Sequence, residues 1–205
     1  MDTPKITSIE RSDFPKIANI WTESIAEDIF SIFGKNYIEN IYLPFAFSRL
    51  NTFGDIVSIN NRTVGFVIFG PSNNFFLSLV RKNLISTIYA SITACLKKPK
   101  NFLILIGILY FAIFGLPKYE KNSLELLYIA VLPQFQKNNL GTRLINNSEN
   151  IINNLSPILY VKTLSSNKDF IQFYKKNGFT IKESKLGRVF MAKKTQSSNE
   201  TKNEL

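Results

Sequence analysis

The feature that most constrains this chain is its run of alternating segments between Leu124 and Lys193. The patterns predict a strand over Leu124 to Val131, a helix over Leu140 to Leu155, a strand over Ile158 to Thr163 and a helix over Lys168 to Asn177. Two last strands, Thr180 to Ser184 and Arg188 to Lys193, meet at a turn near Leu186-Gly187. Strands placed before and between helices indicate a mixed α/β domain. Upstream, a strand is expected in Lys5 to Arg11, followed by a helix to about Ser24 that opens at Ser12-Asp13 and Phe14-Pro15. A second helical stretch, from about Lys35 to Ser48, is distorted by Pro44. The runs Asp55 to Asn60 and Thr63 to Phe69 form a hairpin, because asparagine tolerates the positive φ of a tight turn.

From Gly70 the character changes for about fifty residues. Phe76, Val80, Leu84, Ile88, Ile92 and Cys95 recur every three or four positions, which predicts one amphipathic helix, ended by Lys97-Lys98-Pro99-Lys100. Phe102 to Leu116 is then an unbroken run of 15 apolar residues, counting glycines. As a helix it would measure about 22 Å, whereas a bilayer core needs about 30 Å, so a simple span is disfavoured. We read 71–118 as a helical-hairpin insert in a single domain covering 1–194, with 195–205 as a mobile polar tail.

The chain has 205 residues, no histidine and one cysteine, which removes Ser-His and Cys-His pairs, imidazole metal sites, intramolecular disulfides and multi-thiolate zinc sites. Chemistry falls to carboxylates, Tyr, Lys, Ser/Thr and backbone dipoles, and no metal is called for. A net charge of +10 favours an anionic cofactor, substrate or surface. The start of the chain lacks a secretory pattern, which places the protein in the cytoplasm.

The most informative stretch runs from Glu125 to Leu144. A buried strand stops at Pro133, a polar loop follows, and a helix opens near Leu140. Backbone N–H groups at such an opening have no intrahelical partner and lie at the positive end of the helix dipole, so the loop can seat a phosphate. Gly141 allows close approach to the backbone, Asn139 can adopt the left-handed conformation, and Gln136 and Lys137 offer side-chain donors. An ordinary strand-loop-helix connection would carry the same features.

Val131-x-Pro133-x-x-Gln136-x-x-Asn139-x-Gly141 resembles the acyl-CoA pyrophosphate loop of the GNAT superfamily of N-acyltransferases, and Asn167 to Phe179 resembles that family's Asn-x-x-Ala-x-x-Phe-Tyr-x-x-x-Gly-Phe segment at the matching distance downstream. The resemblance is strong over Leu124 to Lys193 and topological over Lys5 to Phe69. It implies a central, mostly antiparallel sheet of about seven strands flanked by helices. Two departures stand out: Asn139 replaces a loop glycine, so its Cβ could crowd the pyrophosphate, and Phe170 replaces a small residue.

What the resemblance further implies is acetyl-CoA as acyl donor. The strand ending at Val131 would splay from its parallel neighbour near Ile158 to Val161, leaving the backbone of Ile129, Ala130 and Val131 to pair with pantetheine. The loop Gln136, Lys137, Asn138, Asn139, Leu140, Gly141 and Thr142 would hold the pyrophosphate, with Lys137 or Arg143 adding charge. Asn167 would contact the CoA arm or cap the helix beginning at Lys168. Tyr174 would protonate the leaving thiolate, a role suited to a phenol whose ordinary pKa is near 10; core packing beside Phe173 is the other reading. Glu125 would be a water-relayed base, since period two places Glu125, Leu127, Ile129 and Val131 on one face and apolar neighbours would raise its pKa; a solvated strand-end glutamate is the alternative.

Three functions remain in play. An N-acetyltransferase could move acetyl to a primary amine by direct attack in a ternary complex, on an amino sugar or a lipid-linked glycan intermediate, or on a protein or peptide amine. A non-catalytic module could use the basic apolar insert at an anionic membrane surface, peripheral to the inner membrane. Between Pro71 and Lys121 stand seven basic residues against one acid, which suits such a surface; packing on the sheet or in a homodimer would equally cover the apolar side. Nucleic acid is disfavoured, because the cations flank aliphatic runs instead of interleaving with stacking aromatics.

Overall fold

The computed structural model describes residues 3–26, 28–72, 75–115 and 119–195. Lys118 and the polar tail beyond 195 lie outside them. Seven strands, β1 (Lys5–Ser8), β2 (Phe53–Ile59), β3 (Arg62–Pro71), β4 (Leu124–Val131), β5 (Ile158–Leu164), β6 (Thr180–Lys185) and β7 (Arg188–Lys194), form one sheet in the order β1-β2-β3-β4-β5-β7-β6. Every neighbouring pair is antiparallel except β4 and β5. The β2–β3 turn has Asn60 and Asn61 at φ 51° and 60°, and the β6–β7 turn has Leu186 and Gly187 at φ 49° and 71°. Two consecutive positive φ values match the twist of the flanking strands.

The helices are α1 (Phe14–Ser24), α2 (Ile29–Phe33), α3 (Lys35–Tyr37), α4 (Leu43–Phe47), α5 (Phe75–Lys82), α6 (Leu84–Lys97), α7 (Asn101–Phe114), α8 (Leu140–Asn147), α9 (Glu149–Leu155) and α10 (Lys168–Lys176). Between α3 and α4, Ile38–Tyr42 forms a π-helical turn closed by the Leu43 amide on the Ile38 carbonyl. Pro44 follows at once and has no N–H to give, so the widened turn sits where the helical ladder is already interrupted.

Three expectations are corrected. The single helix foreseen through Cys95 breaks at Asn83, whose backbone leaves the helical region (φ −125°, ψ 41°) while its side-chain amide donates to the Leu79 carbonyl at 3.2 Å. The helix foreseen over Leu140 to Leu155 divides at Ser148. That hydroxyl donates to Asp55 Oδ2 at 2.7 Å, beside Asn147 Nδ2 at 3.0 Å, which ties the junction to β2. The third correction concerns β4. Ile68 pairs with Tyr128 and Phe69 with Leu126, leaving Leu127 as a bulge. An extra residue reverses the alternation, so Glu125 shares a face with Tyr128 and Ala130, not with Ile129 and Val131.

The two faces are covered differently. On the face bearing Phe66, Ile68 and Tyr128, Trp21 of α1 is fully buried, with ring centroids 5.6 Å from Phe66 and 3.9 Å from Tyr128. The helices α8 and α10 cover the opposite face, where Leu144, Ile145, Ile171 and Tyr174 join the core of Val67, Leu126, Ile129, Val161 and Met191. The insert α5–α7 lies on the Trp21 face: Phe111 stacks on Phe190 at 6.0 Å under the Arg188 guanidinium at 4.4 Å.

Candidate acyl-transfer site

The parallel pair β4–β5 is joined only at Leu124 with Leu159 and Glu125 with Tyr160. Beyond Glu125 the strands part, although β4 stays paired to β3 up to Gly65 with Val131. The Leu132 amide donates to Val64 at 2.8 Å. Hydrogen bonding alternates along an antiparallel ladder, so Ala130 and Tyr128 face β3 while Ile129 and Val131 turn their N–H and C=O groups to the open side. One of these, the Val131 carbonyl, accepts from Gln136 Nε2 at 2.9 Å.

The opening runs into a short 3-10 turn, Pro133–Phe135, and then into the exposed loop before α8. Asn139, immediately before α8, is left-handed (φ 57°, ψ 14°), as is Lys137 (φ 64°). Asparagine bears that conformation better than any other non-glycine residue. The Arg143 amide bonds the Asn139 carbonyl, so the first turn leaves the N–H groups of Leu140, Gly141 and Thr142 without an intrahelical partner. Gln136 is more committed than its sequence suggested: its amide bonds Pro133 at 3.2 Å and its side chain bonds Val131. Asn138 is likewise turned inward, to the carbonyls of Phe135 and Gln136. Lys137 and Arg143 are exposed. A Cβ on Gly141 would stand 3.0 Å from Phe173 Cζ, so the missing side chain makes room for α10 as well as baring the backbone.

Asn167 caps α10 by accepting the Phe170 amide at 3.3 Å. Tyr174 is 4% exposed and packed among Phe170, Phe173 and Phe179, and burial pushes its phenol well above the ordinary range. It therefore stays protonated at neutral pH. On the other face Glu125 is 1% exposed, and its carboxylate sits 2.6 Å from Lys162 Nζ. Tyr174 and Glu125 thus lie on opposite sides of the sheet and can address one ligand only through the gap between β4 and β5.

Sequence reasoning missed the groups around Glu125 and Tyr128. Lys162 could have been found from period two on β5, which puts it on the face of Tyr160. The Asp28 network had no such signal. Its carboxylate accepts from Trp21 Nε1 (3.2 Å), the Phe30 amide (3.0 Å) and Tyr128 Oη (3.1 Å), joining the α1–α2 connection to β4. Burial raises the Asp28 pKa against the effect of those three bonds, and burial together with the Asp28 charge raises Tyr128. Tyr119, near Glu125, is raised first by burial and then by that carboxylate. A separate groove of 660 Å³ between α1 and the β2–β3 turn, floored by Ile20 and Leu132, holds none of these groups.

Residues 99–181 match the domain model described as "Acetyltransferase (GNAT) domain". That stretch is similar to a GNAT acetyltransferase domain and spans less than half of the chain. Among solved structures, the ribosomal-protein-S18-alanine N-acetyltransferase of Escherichia coli is similar at 14% identity and TM-score 0.59, over 99% of each chain. The PaiA N-acetyltransferase of Thermoplasma acidophilum, solved in complex with coenzyme A, is similar at 15% identity and TM-score 0.57, over 94% of this chain and 99% of that one. Ard1 of Thermoplasma volcanium gives 14% and 0.58, over 94% and 97%. At such identities the likeness is one of fold. No curated protein matches the chain. Among the described residues no helix is long and apolar enough to cross a membrane.

Proposed function

We propose that the chain transfers an acetyl group from acetyl-CoA to a primary amine by direct attack. The observation that carries this is the parting of β4 from β5 after Glu125, which leaves one strand edge open and leads it into the unpartnered N–H groups of α8. Peptide-like amides of a pantetheine arm fit such an edge, and a pyrophosphate fits the helix start. The residues fit the ligand: Ile129 and Val131 offer the edge, Leu140, Gly141 and Thr142 the donors, Lys137 and Arg143 the charge. Asn167 stands at the far side of the opening, at the start of the helix that carries Tyr174.

The amine nitrogen attacks the thioester carbonyl carbon, the C–S bond breaks as the tetrahedral intermediate collapses, and Tyr174 Oη gives its proton to the departing sulfur. Burial keeps the phenol protonated until the thiolate departs and also makes it a weaker acid, so the transfer waits on the developing negative charge at sulfur. Glu125 takes the amine proton through water, and its ion pair with Lys162 holds the carboxylate in place. With a single cysteine, which lies on α6 within the insert, a ternary complex is favoured over a covalent acyl carrier.

The acceptor we favour is an amino sugar or a lipid-linked glycan amine. A peptide amine is the second reading, favoured by the likeness in fold to the ribosomal-protein-S18-alanine N-acetyltransferase. Thiol release from acetyl-CoA with amino sugars, polyamines and peptides decides between them. Turnover with one acceptor class and not the others supports the corresponding reading, and absence of CoA binding removes both.

A further inference from the structure

The insert is unlike the rest of the surface. Six large apolar side chains on α6 and eight on α7 are exposed, among them Ile85 (85%), Leu96 (79%) and Leu103 (73%). They fall in one broad stripe along each helix. The opposite stripe turns inward, with Thr87, Ala90 and Ala94 on α6 and Asn101 and Phe111 on α7 buried. Soluble monomers rarely expose a contiguous apolar patch beyond a few hundred Å², and two adjacent helical stripes of this kind exceed that.

Charge decides what covers the face. Residues 75–115 contain no Asp or Glu. Their five cations stand at the two ends of the helical pair: Arg81 and Lys82 before α6, and Lys97, Lys98 and Lys100 at the turn into α7, all exposed. A second copy docked by a two-fold axis would bring cations against cations, with no anion supplied by either face. A bilayer with anionic headgroups offers what the face lacks, an apolar layer for the stripes and negative charge around both ends. Each helix is 14 residues long, or about 21 Å, which suits lying in the interface and not crossing it.

We propose that α6 and α7 dock the protein on an anionic lipid bilayer, lying flat with their apolar stripes among the acyl chains and the five cations at headgroup level. The insert packs on the sheet face that bears Glu125, Lys162 and Tyr128, because Phe111 stacks on Phe190 and Phe190 pairs with Lys162. Docking therefore turns that side of the sheet toward the membrane. The inference stands apart from acetyl transfer, since it needs neither CoA nor a catalytic group.

The test is co-sedimentation of the full chain with vesicles of phosphatidylglycerol and phosphatidylcholine, beside vesicles of phosphatidylcholine alone. Binding is expected to the anionic vesicles, to weaken at least about tenfold in Lys97→Ala/Lys98→Ala/Lys100→Ala, since each cation near an anionic surface contributes measurably, and to be lost in Ile85→Asp/Leu103→Asp. Both replaced apolar residues are exposed, so far-UV circular dichroism and Tm are expected to stay unchanged. No binding to anionic vesicles, or equal binding to neutral ones, overturns the proposal. So does a dimer in sedimentation velocity that Ile85→Asp/Leu103→Asp converts to monomer, because the face then belongs to a second copy.

Discussion

The two halves of β4 are built from similar residues and behave oppositely. Leu124 and Glu125 are locked on both sides, by β3 and by β5, with Glu125 buried against Lys162. Ile129 to Val131 is just as apolar but holds β3 alone, and turns the other edge of its backbone outward. Between them lies one unpaired residue, Leu127. A bulge adds twist locally, and the twist carries the upper half away from its parallel neighbour. The lesson is that a ligand edge inside a sheet needs no polar sequence; it needs one strand anchored at its base and released above a bulge.

The largest expected effect comes from loosening the anchored half. Glu125→Ala leaves Lys162 facing a buried void and should cost about 3 kcal/mol, or a Tm fall of roughly 6–12 °C for a chain of this length, read by thermal denaturation. Adding Lys162→Met should recover part of the loss; no recovery would mean that the pair does not couple β4 to β5. Next in size is chemistry at the open half. Tyr174→Phe should lower kcat about 100-fold while the KM for acetyl-CoA changes little, as read by thiol release. An unchanged kcat would return Tyr174 to the aromatic packing among which it is buried.

How much of this could be read from the sequence follows from which signals are local. The limits of β4, Leu124 to Val131, match the sequence expectation, because a β-rich run closed by Pro133 carries its own boundaries. The left-handed Asn139 and the cap at Asn167 were legible for the same reason: the residue type announces the backbone geometry or the donor it satisfies. The bulge was not legible. Leu127 looks like any other strand residue, and only the pairing of Phe69 with Leu126 displaces it, so the face of Glu125 was misread. Nor was Asp28 legible, since its three donors come from Trp21, Phe30 and Tyr128, the last 100 positions away.

Smaller effects refine the comparison. Asp28 supports the upper half through Tyr128, and its folded pKa is raised above the ordinary 3.8 by burial. In that window the folded state holds more protons than the unfolded chain, so this residue's contribution to stability falls as pH rises from about 3.8 through the raised value. Asp28→Asn should flatten that decline in denaturation midpoints measured between pH 4 and pH 7; an unchanged slope would assign it to another group. The smallest change expected is in Asn139→Gly. Removing a left-handed Cβ should alter stability by no more than about 1 kcal/mol and tighten CoA binding severalfold by calorimetry. Weaker binding would mean that the Asn139 side chain helps to hold the ligand.

The most direct test is titration of the isotopically labelled protein with CoA while backbone amide signals are followed by NMR. The account predicts that Ile129 and Val131 shift together with Leu140, Gly141 and Thr142, while Leu124 and Glu125, held between two strands, stay nearly still. Saturating CoA with no shift at Ile129 and Val131, or with shifts confined to the α1 groove at Ile20 and Leu132, would contradict it.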